Sequence, residues 1–346
     1  MKTIFDYINY YKNETFSDYK FNDMDNLVFS AIAYLPLDGL KKKITINEIG
    51  DALLAKQSNL HGMKKVAFKV LEVIKNSKRY GETLVTNYVS ILDDTQFSAM
   101  TIRYKKGECY VAYRGTDNSL VGWRENFELS YKYPTACQKR AINYLKETIK
   151  FNDKIIYVGG HSKGGNLAMT AVMENGFLLD KIRVVYNNDG PGFRKEEYDS
   201  FKYKRMEKKL KTFLPEESMV GILFLRDDNY NVVKSKGHGP QQHYLSNWLC
   251  FGSFLEPGTL SKYSLKIQKQ VNDYMMQTTG EKRKLVVEML FDIIQKQKIN
   301  YFYELKDMNF KEFSTFVKDA KGIDDSSKKL ILDMLKALLF GEVKKV

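Results

Sequence analysis

Ser162 occupies a position in which a serine hydroxyl becomes a nucleophile. The run Ile155-Ile156-Tyr157-Val158-Gly159-Gly160-His161-Ser162-Lys163-Gly164-Gly165-Asn166-Leu167-Ala168 begins as an apolar, β-branched strand and leaves as a helix of small residues. A serine at such a junction sits on a strained turn with its Oγ exposed, the arrangement called a nucleophile elbow. The flanking backbones must approach closely, so only residues without bulk fit two positions to either side, and Gly160 and Gly164 stand there. The helix that starts after Ser162 aims backbone N–H groups and its positive dipole end at the place where an oxyanion would form. The bland reading of the same residues is a glycine-rich turn with a capping serine.

A serine hydroxyl needs a base to take its proton, and the base needs a third group to fix its tautomer and stabilise its charge. In hydrolases built on such an elbow the chain order is serine, acid, histidine. Two histidines follow Ser162, His238 and His243. His243 lies in Gly239-Pro240-Gln241-Gln242-His243-Tyr244, a loop able to bring a base over the sheet edge, and it is preferred to His238, which reads as a surface residue in Lys236-Gly237-His238-Gly239. For the acid, Val184-Val185-Tyr186 ends in Asn187-Asn188-Asp189-Gly190-Pro191-Gly192. Asp189 thus falls at the C-terminal edge of the strand after the elbow, beside the crevice where open α/β sheets bind ligands. Turn chemistry alone also accounts for Asp-Gly-Pro-Gly, and Glu216, Glu217, Asp227 and Asp228 remain competing acids.

One oxyanion donor is the N–H of the residue after the nucleophile, Lys163. The Lys163 side chain leaves the turn in another direction and is poorly placed as a base; the same holds for His161, which reads as a packed residue. Four histidines without H-E-x-x-H, three cysteines without ligand spacing, and no G-x-x-x-x-G-K-[ST] loop mean that no metal or cofactor is expected.

The elements that must hold these residues follow from hydrophobic period. Residues 22–34 and 63–74 carry apolar residues at helical spacing, so the first hundred residues read as helices packed on a later sheet. Alternation from Phe97 to Tyr104, a break at Lys105-Lys106-Gly107, and resumption at Cys109–Tyr113 predict a β-hairpin. A loop follows Gly115, then an amphipathic helix through Ala141, Leu145 and Ile149. Strands are expected at Ile155, at Arg183–Asn187 and at Met219–Phe224, and helices return beyond Gly258. Strands alternating with helices indicate a mainly parallel α/β sheet.

Length and composition set the outer bounds. The 346 residues are 43% hydrophobic and 13% aromatic with six prolines, which describes a folded chain with a sizeable core. An excess of 55 Lys and Arg over 42 Asp and Glu gives a formal charge of +13, and weak contact with an anionic membrane surface is the partner this favours. The densest basic stretch, Lys202 to Lys211, is equally well read as solvated surface, and nucleic acid is not expected. Cys109, Cys137 and Cys250 form no C-x-x-C pair and their odd number argues against a disulfide scaffold. Without an apolar leader at the N-terminus, the expected location is cytoplasmic.

Tyr113-Arg114-Gly115-Thr116-Asp117 followed by Trp123, and then Gly160-His161-Ser162-Lys163-Gly164-Gly165-Asn166, resemble the pattern of class 3 (triacylglycerol) lipases over roughly residues 95 to 250. Asn187–Phe193, Ser218–Gly221 and Gln242-His243 are similar to a branch of uncharacterised lipase-like proteins that also carries lysine after the serine. The resemblance implies an α/β-hydrolase-type fold, a mainly parallel sheet flanked by helices, with helical N- and C-terminal additions: residues 1–95, a core at 96–257, and a C-terminal region at 258–346 that would form a cap. It implies Thr116 as the second oxyanion donor and hydrolysis of a small-molecule or lipid ester through an acyl-serine intermediate. Two departures stand out: lysine replaces the usual leucine at position 163, and no aspartate occurs in Glu217-Ser218-Met219-Val220-Gly221, where class 3 lipases place their acid. The alternative is a catalytically inactive hydrolase scaffold serving as a binding or regulatory protein.

Overall fold

The computed structural model describes residues 1–296 except Asn59, Asn118, Asp227 and Asp228, and beyond them Glu304, Ser314, Thr315, Val317, Lys318, Asp324, Asp325, Ser327, Lys328, Lys329 and Leu332. The candidate acids Asp227 and Asp228 therefore lie outside the described residues. In chain order the elements are α1 (Ile4–Tyr11), α2 (Asp23–Ile32), β1 (Lys43–Thr45), α3 (Ile46–Leu53), α4 (Gly62–Ile74), β2 (Leu84–Leu92), β3 (Gln96–Lys105), β4 (Glu108–Tyr113), α5 (Leu120–Glu128) and α6 (Ala136–Thr148). They continue with β5 (Ile155–His161), α7 (Lys163–Glu174), β6 (Ile182–Asn188), α8 (Lys195–Tyr198), α9 (Phe201–Met206), β7 (Leu210–Pro215), β8 (Tyr230–Val233), β9 (Cys250–Phe251), β10 (Phe254–Leu255), α10 (Lys262–Gln277) and α11 (Gly280–Lys296).

Eight strands form one sheet in sequence order, β1 to β8. The pairs from β1 to β4 are antiparallel and those from β4 to β8 parallel. This is the α/β-hydrolase-type architecture, a mainly parallel sheet flanked by helices. Right-handed crossovers between strands taken in sequence order all carry their helices to the same face of the sheet, and α6, α7 and α9 do pack together against it. The opposite face would stay wet unless another part of the chain covered it, and α1, α2 and α4 do so. Strand alternation serves both layers: Cys109, Val111 and Tyr113 of β4 face the crossover helices, while Tyr110 and Ala112 face the N-terminal ones.

The N-terminal layer is tied down by a buried ion pair. Asp25 on α2 accepts from Arg79 at both oxygens, 2.9 and 2.6 Å, and from the hydroxyls of Tyr80 at 2.7 Å and Tyr7 at 3.1 Å. Both charged side chains are fully buried, so the group is stable only while every partner is present.

The structure departs from expectation in three places. Residues 1–95 contain not only helices but β1 and most of the first antiparallel pairing, β2. Residues 120–128, expected as loop, form α5, begun by a hydrogen bond from Gly122 N to the Ser119 side chain. Met219–Phe224 is not a strand: those apolar residues are buried because they wall a cavity and pack in small side clusters. The strand is instead Leu210–Pro215, whose lysine-flanked start reads as surface. The basic stretch there is dispersed into separate contacts, Lys202 with Glu174, Lys204 with Glu207, and Lys211 with Asp23, rather than gathered into one patch. Among the described residues no helix is long and apolar enough to cross a membrane.

Removing one member of the buried pair leaves the other charge without a partner, so Asp25→Ala is expected to cost about 3–5 kcal/mol. A urea melt would show it as a lower midpoint with the same slope, and the double replacement Asp25→Leu with Arg79→Met should lose less than Asp25→Ala alone.

Candidate active site

The elbow is as tight as its glycines suggest. Ser162 has φ 58° and ψ −135°, a region L-residues rarely enter. It is held there by its own N–H donated to Asn188 O at 3.0 Å and by its carbonyl accepting from Gly165 N at 2.9 Å. A Cβ at Gly160 would lie 2.5 Å from the backbone of Gly164 and from Tyr113 O, and a Cβ at Gly164 would press closer still on Tyr113 O. Gly115 sits against the same turn, where a Cβ would come within 3.0 Å of Ser162 Cβ. The loop after β4, which carries Thr116, is thereby laid beside the serine. Ser162 opens on a cavity of about 1140 Å³ whose wall also includes Thr116, Asp189 and His243.

Asp189 follows the last residue of β6 in a left-handed conformation, φ 52°, which turns its carboxylate across the strand ends. It is fully buried. Its Oδ2 accepts from His243 Nδ1 at 2.6 Å, and its Oδ1 accepts from Ser218 Oγ at 2.5 Å and Gly221 N at 3.0 Å. Of the competing acids, Glu217 instead receives His238 Nδ1 at 3.3 Å and Gly239 N at 2.5 Å. Glu216 meets the segment before α10, its carbonyl accepting from Ser261 N. His238 is almost wholly exposed. Of the two downstream histidines, His243 is the one that shares the cavity with Ser162, and with Nδ1 committed to Asp189 its Nε2 is the nitrogen left for other work.

The loop that presents His243 is itself anchored. Trp248 Nε1 donates to Gln242 O at 2.8 Å, while the Gln242 side chain accepts from Glu217 N and donates to Gly237 O. His161 completes the support: its Nε2 lies 2.7 Å from His243 O, and its Nδ1 2.9 Å from the Tyr34 hydroxyl. A carbonyl can only accept, so Nε2 carries the hydrogen and Nδ1 accepts from Tyr34. Burial first, and repulsion from His243 second, push the His161 pKa well below its usual value. His161 is therefore a neutral buckle under the His243 backbone.

Lys163 directs its Nζ away from the cavity, to Glu125 Oε2 and Gln96 O, each at 2.9 Å. Thr116 lines the cavity, its Oγ1 accepting from Asn126 Nδ2 at 2.8 Å and donating to Asn126 Oδ1 at 3.1 Å. Tyr274 and Met275 of α10 also line it, whereas Met276 is exposed. Sequence reading named Ser218 and Gly221 only within a motif of the resemblance and gave them no role, and it did not single out Tyr34 or Glu125. Ser218 and Gly221 stand in Glu217–Gly221, the stretch without the aspartate that the resemblance implied, and they supply donors to Asp189, which follows β6. Among the described residues no cluster of side chains suited to a metal occurs, and the three cysteines are free and buried.

Because the folded state depresses the His161 pKa, its contribution to stability is full above the unfolded value near 6.5 and is lost as the pH falls below it. Denaturant melts between pH 7 and pH 5 should show stability falling by up to about 1.4 kcal/mol per pH unit for this proton. His161→Gln should flatten that slope; an unchanged slope would show that His161 is not held neutral.

The model of the Mbeg1-like family matches residues 74–292, more than half of the chain and a span that contains Ser162, Asp189 and His243. No curated protein shows significant similarity to the sequence. Solved structures with a similar course of chain include the Rhizomucor miehei lipase propeptide complex, at 14% identity and TM-score 0.39 over 60% of this chain and 66% of that one. The mono- and diacylglycerol lipase of Aspergillus oryzae matches at 14% identity and TM-score 0.41, over 68% of this chain and 84% of that one. A mutant form of MDLA from Penicillium cyclopium matches at 13% and 0.41, with the same coverage. The chain belongs to the Mbeg1-like family.

Proposed function

We propose that the protein hydrolyses carboxylic esters through an acyl-serine intermediate. The observation that carries this reading is the Asp189–His243 hydrogen bond of 2.6 Å at the wall of the cavity onto which Ser162 opens. In this reading His243 Nε2 takes the Ser162 proton as Oγ attacks the acyl carbon, and Asp189 stabilises the imidazolium through Nδ1–H. The oxygen of the tetrahedral intermediate accepts from the Lys163 N–H, at the start of α7, and from Thr116. Collapse expels the alcohol, which leaves with the proton from His243. Water, deprotonated by the same imidazole, then releases the carboxylic acid and restores Ser162.

The substrate proposed is a small-molecule or lipid ester. Val271 and Met275 of α10 and Val286 and Val287 of α11 contribute apolar wall to the cavity, which in this reading receives the apolar part of the ester. Three buried free thiols suit a reducing compartment, and we place the enzyme in the cytoplasm.

A fluorophosphonate probe should label the wild type and spare Ser162→Ala; equal labelling of the two would refute the reading. Asp189→Asn, which keeps the side chain's shape but favours the wrong histidine tautomer, should lower kcat on a p-nitrophenyl ester by on the order of 10⁴-fold with little change in KM.

A further inference from the structure

Lysine directly after the serine is the departure that the reaction just described leaves unexplained. Its ammonium is not in the cavity. Lys163 Nζ and Glu125 Oε2 form an ion pair at 2.9 Å between side chains only 2% and 5% exposed. The same carboxylate accepts from Gln96 N and Cys137 N, each at 3.2 Å, while Nζ also donates to Gln96 O at 2.9 Å. Glu125 thus joins three starts: β3, α6 and, through Lys163, α7. A buried ion pair is seldom needed for stability alone, since apolar residues of similar volume commonly hold a fold as well.

The placement of Glu125 on α5 suggests what the pair is for. Its neighbour on the same helix, Asn126, holds Thr116 Oγ1 at 2.8 Å from Nδ2. Thr116 Oγ1 in turn donates to Asn126 Oδ1 at 3.1 Å, so Asn126 engages the hydroxyl as both donor and acceptor, and the group Thr116 offers the oxyanion is its backbone N–H. Consecutive residues of one helix therefore grip the two groups that would receive the oxyanion: Glu125 grips the residue whose N–H follows the nucleophile, and Asn126 grips Thr116. We infer that Glu125 and Lys163 are a positioning pair, with α5 acting as the gauge that sets the gap between the two oxyanion donors. This inference rests on the ester-hydrolase reading.

Either single replacement strands a buried charge, so the informative variant is Lys163→Met with Glu125→Leu, in which both charges are gone and the volume is kept. Because it also takes the acceptor from Gln96 N and Cys137 N, it should melt below wild type while staying folded at the assay temperature, and hydrolyse p-nitrophenyl butyrate with kcat lowered by roughly 10- to 100-fold, somewhat less than deletion of an oxyanion donor, and with KM within about twofold. Its rate of labelling by a fluorophosphonate should fall in parallel, and Lys163→Arg, which keeps the ion pair, should retain most of the activity. A folded double variant with wild-type kcat and labelling rate, or one in which KM alone changes, would overturn the positioning role. If the wild type is neither labelled nor active on any ester, the hydrolase reading itself has failed and this inference falls with it.

Discussion

The close passage of β4 beside the elbow governs most of what surrounds it. Tyr113 O leaves no room for a side chain at either Gly160 or Gly164, and Gly115 leaves none between its loop and Ser162. The contacts at Gly160 and Gly164 are with backbone, and so is that of Gly115 with His161 O, so no rotamer change relieves them. The serine is fixed in a strained conformation by its neighbours, and the loop bearing Thr116 is fixed beside it. Pre-organisation of this kind lets fixed donors act on a developing charge without first reorganising.

That constraint also explains which parts of the site could be read from the sequence. A steric rule that acts within four residues leaves a local signature, so Gly-x-Ser-x-Gly between a strand and a helix was legible. The pairing of His243 with Asp189 was legible for a different reason: few histidines follow the serine, and Asp189 ends a strand whose β-branched residues announce it. The resemblance drew attention to Ser218 and Gly221, but their role left no local trace, because what they do is donate hydrogen bonds to a carboxylate about thirty residues earlier. Glu125 was hidden in the same way, its partner Lys163 lying 38 residues further along the chain and meeting it only in the folded protein.

Fold class was legible from the alternation of strand and helix, while particular elements were not. Met219–Phe224 looks like a strand because it is apolar, yet its burial comes from walling the cavity rather than from a ladder. Leu210–Pro215 is a strand despite its lysines, because Lys211 lies at the sheet's end and reaches Asp23 at 3.0 Å. Apolar character reports burial, and only the hydrogen-bond partner distinguishes a strand from a lining loop.

The sequence-ordered sheet has one more consequence. With every crossover helix on one side, the covering of the other side falls to residues that precede the stretch matched by the Mbeg1-like family. Cutting the gene to that stretch would strip α1 and α2 and most of α4 from Tyr110, Ala112 and Tyr186, leaving a broad aromatic surface in water and the buried Arg79 without Asp25. What resembles a dispensable extension is half of the enclosure, and the stretch that the family outlines is not the unit that folds.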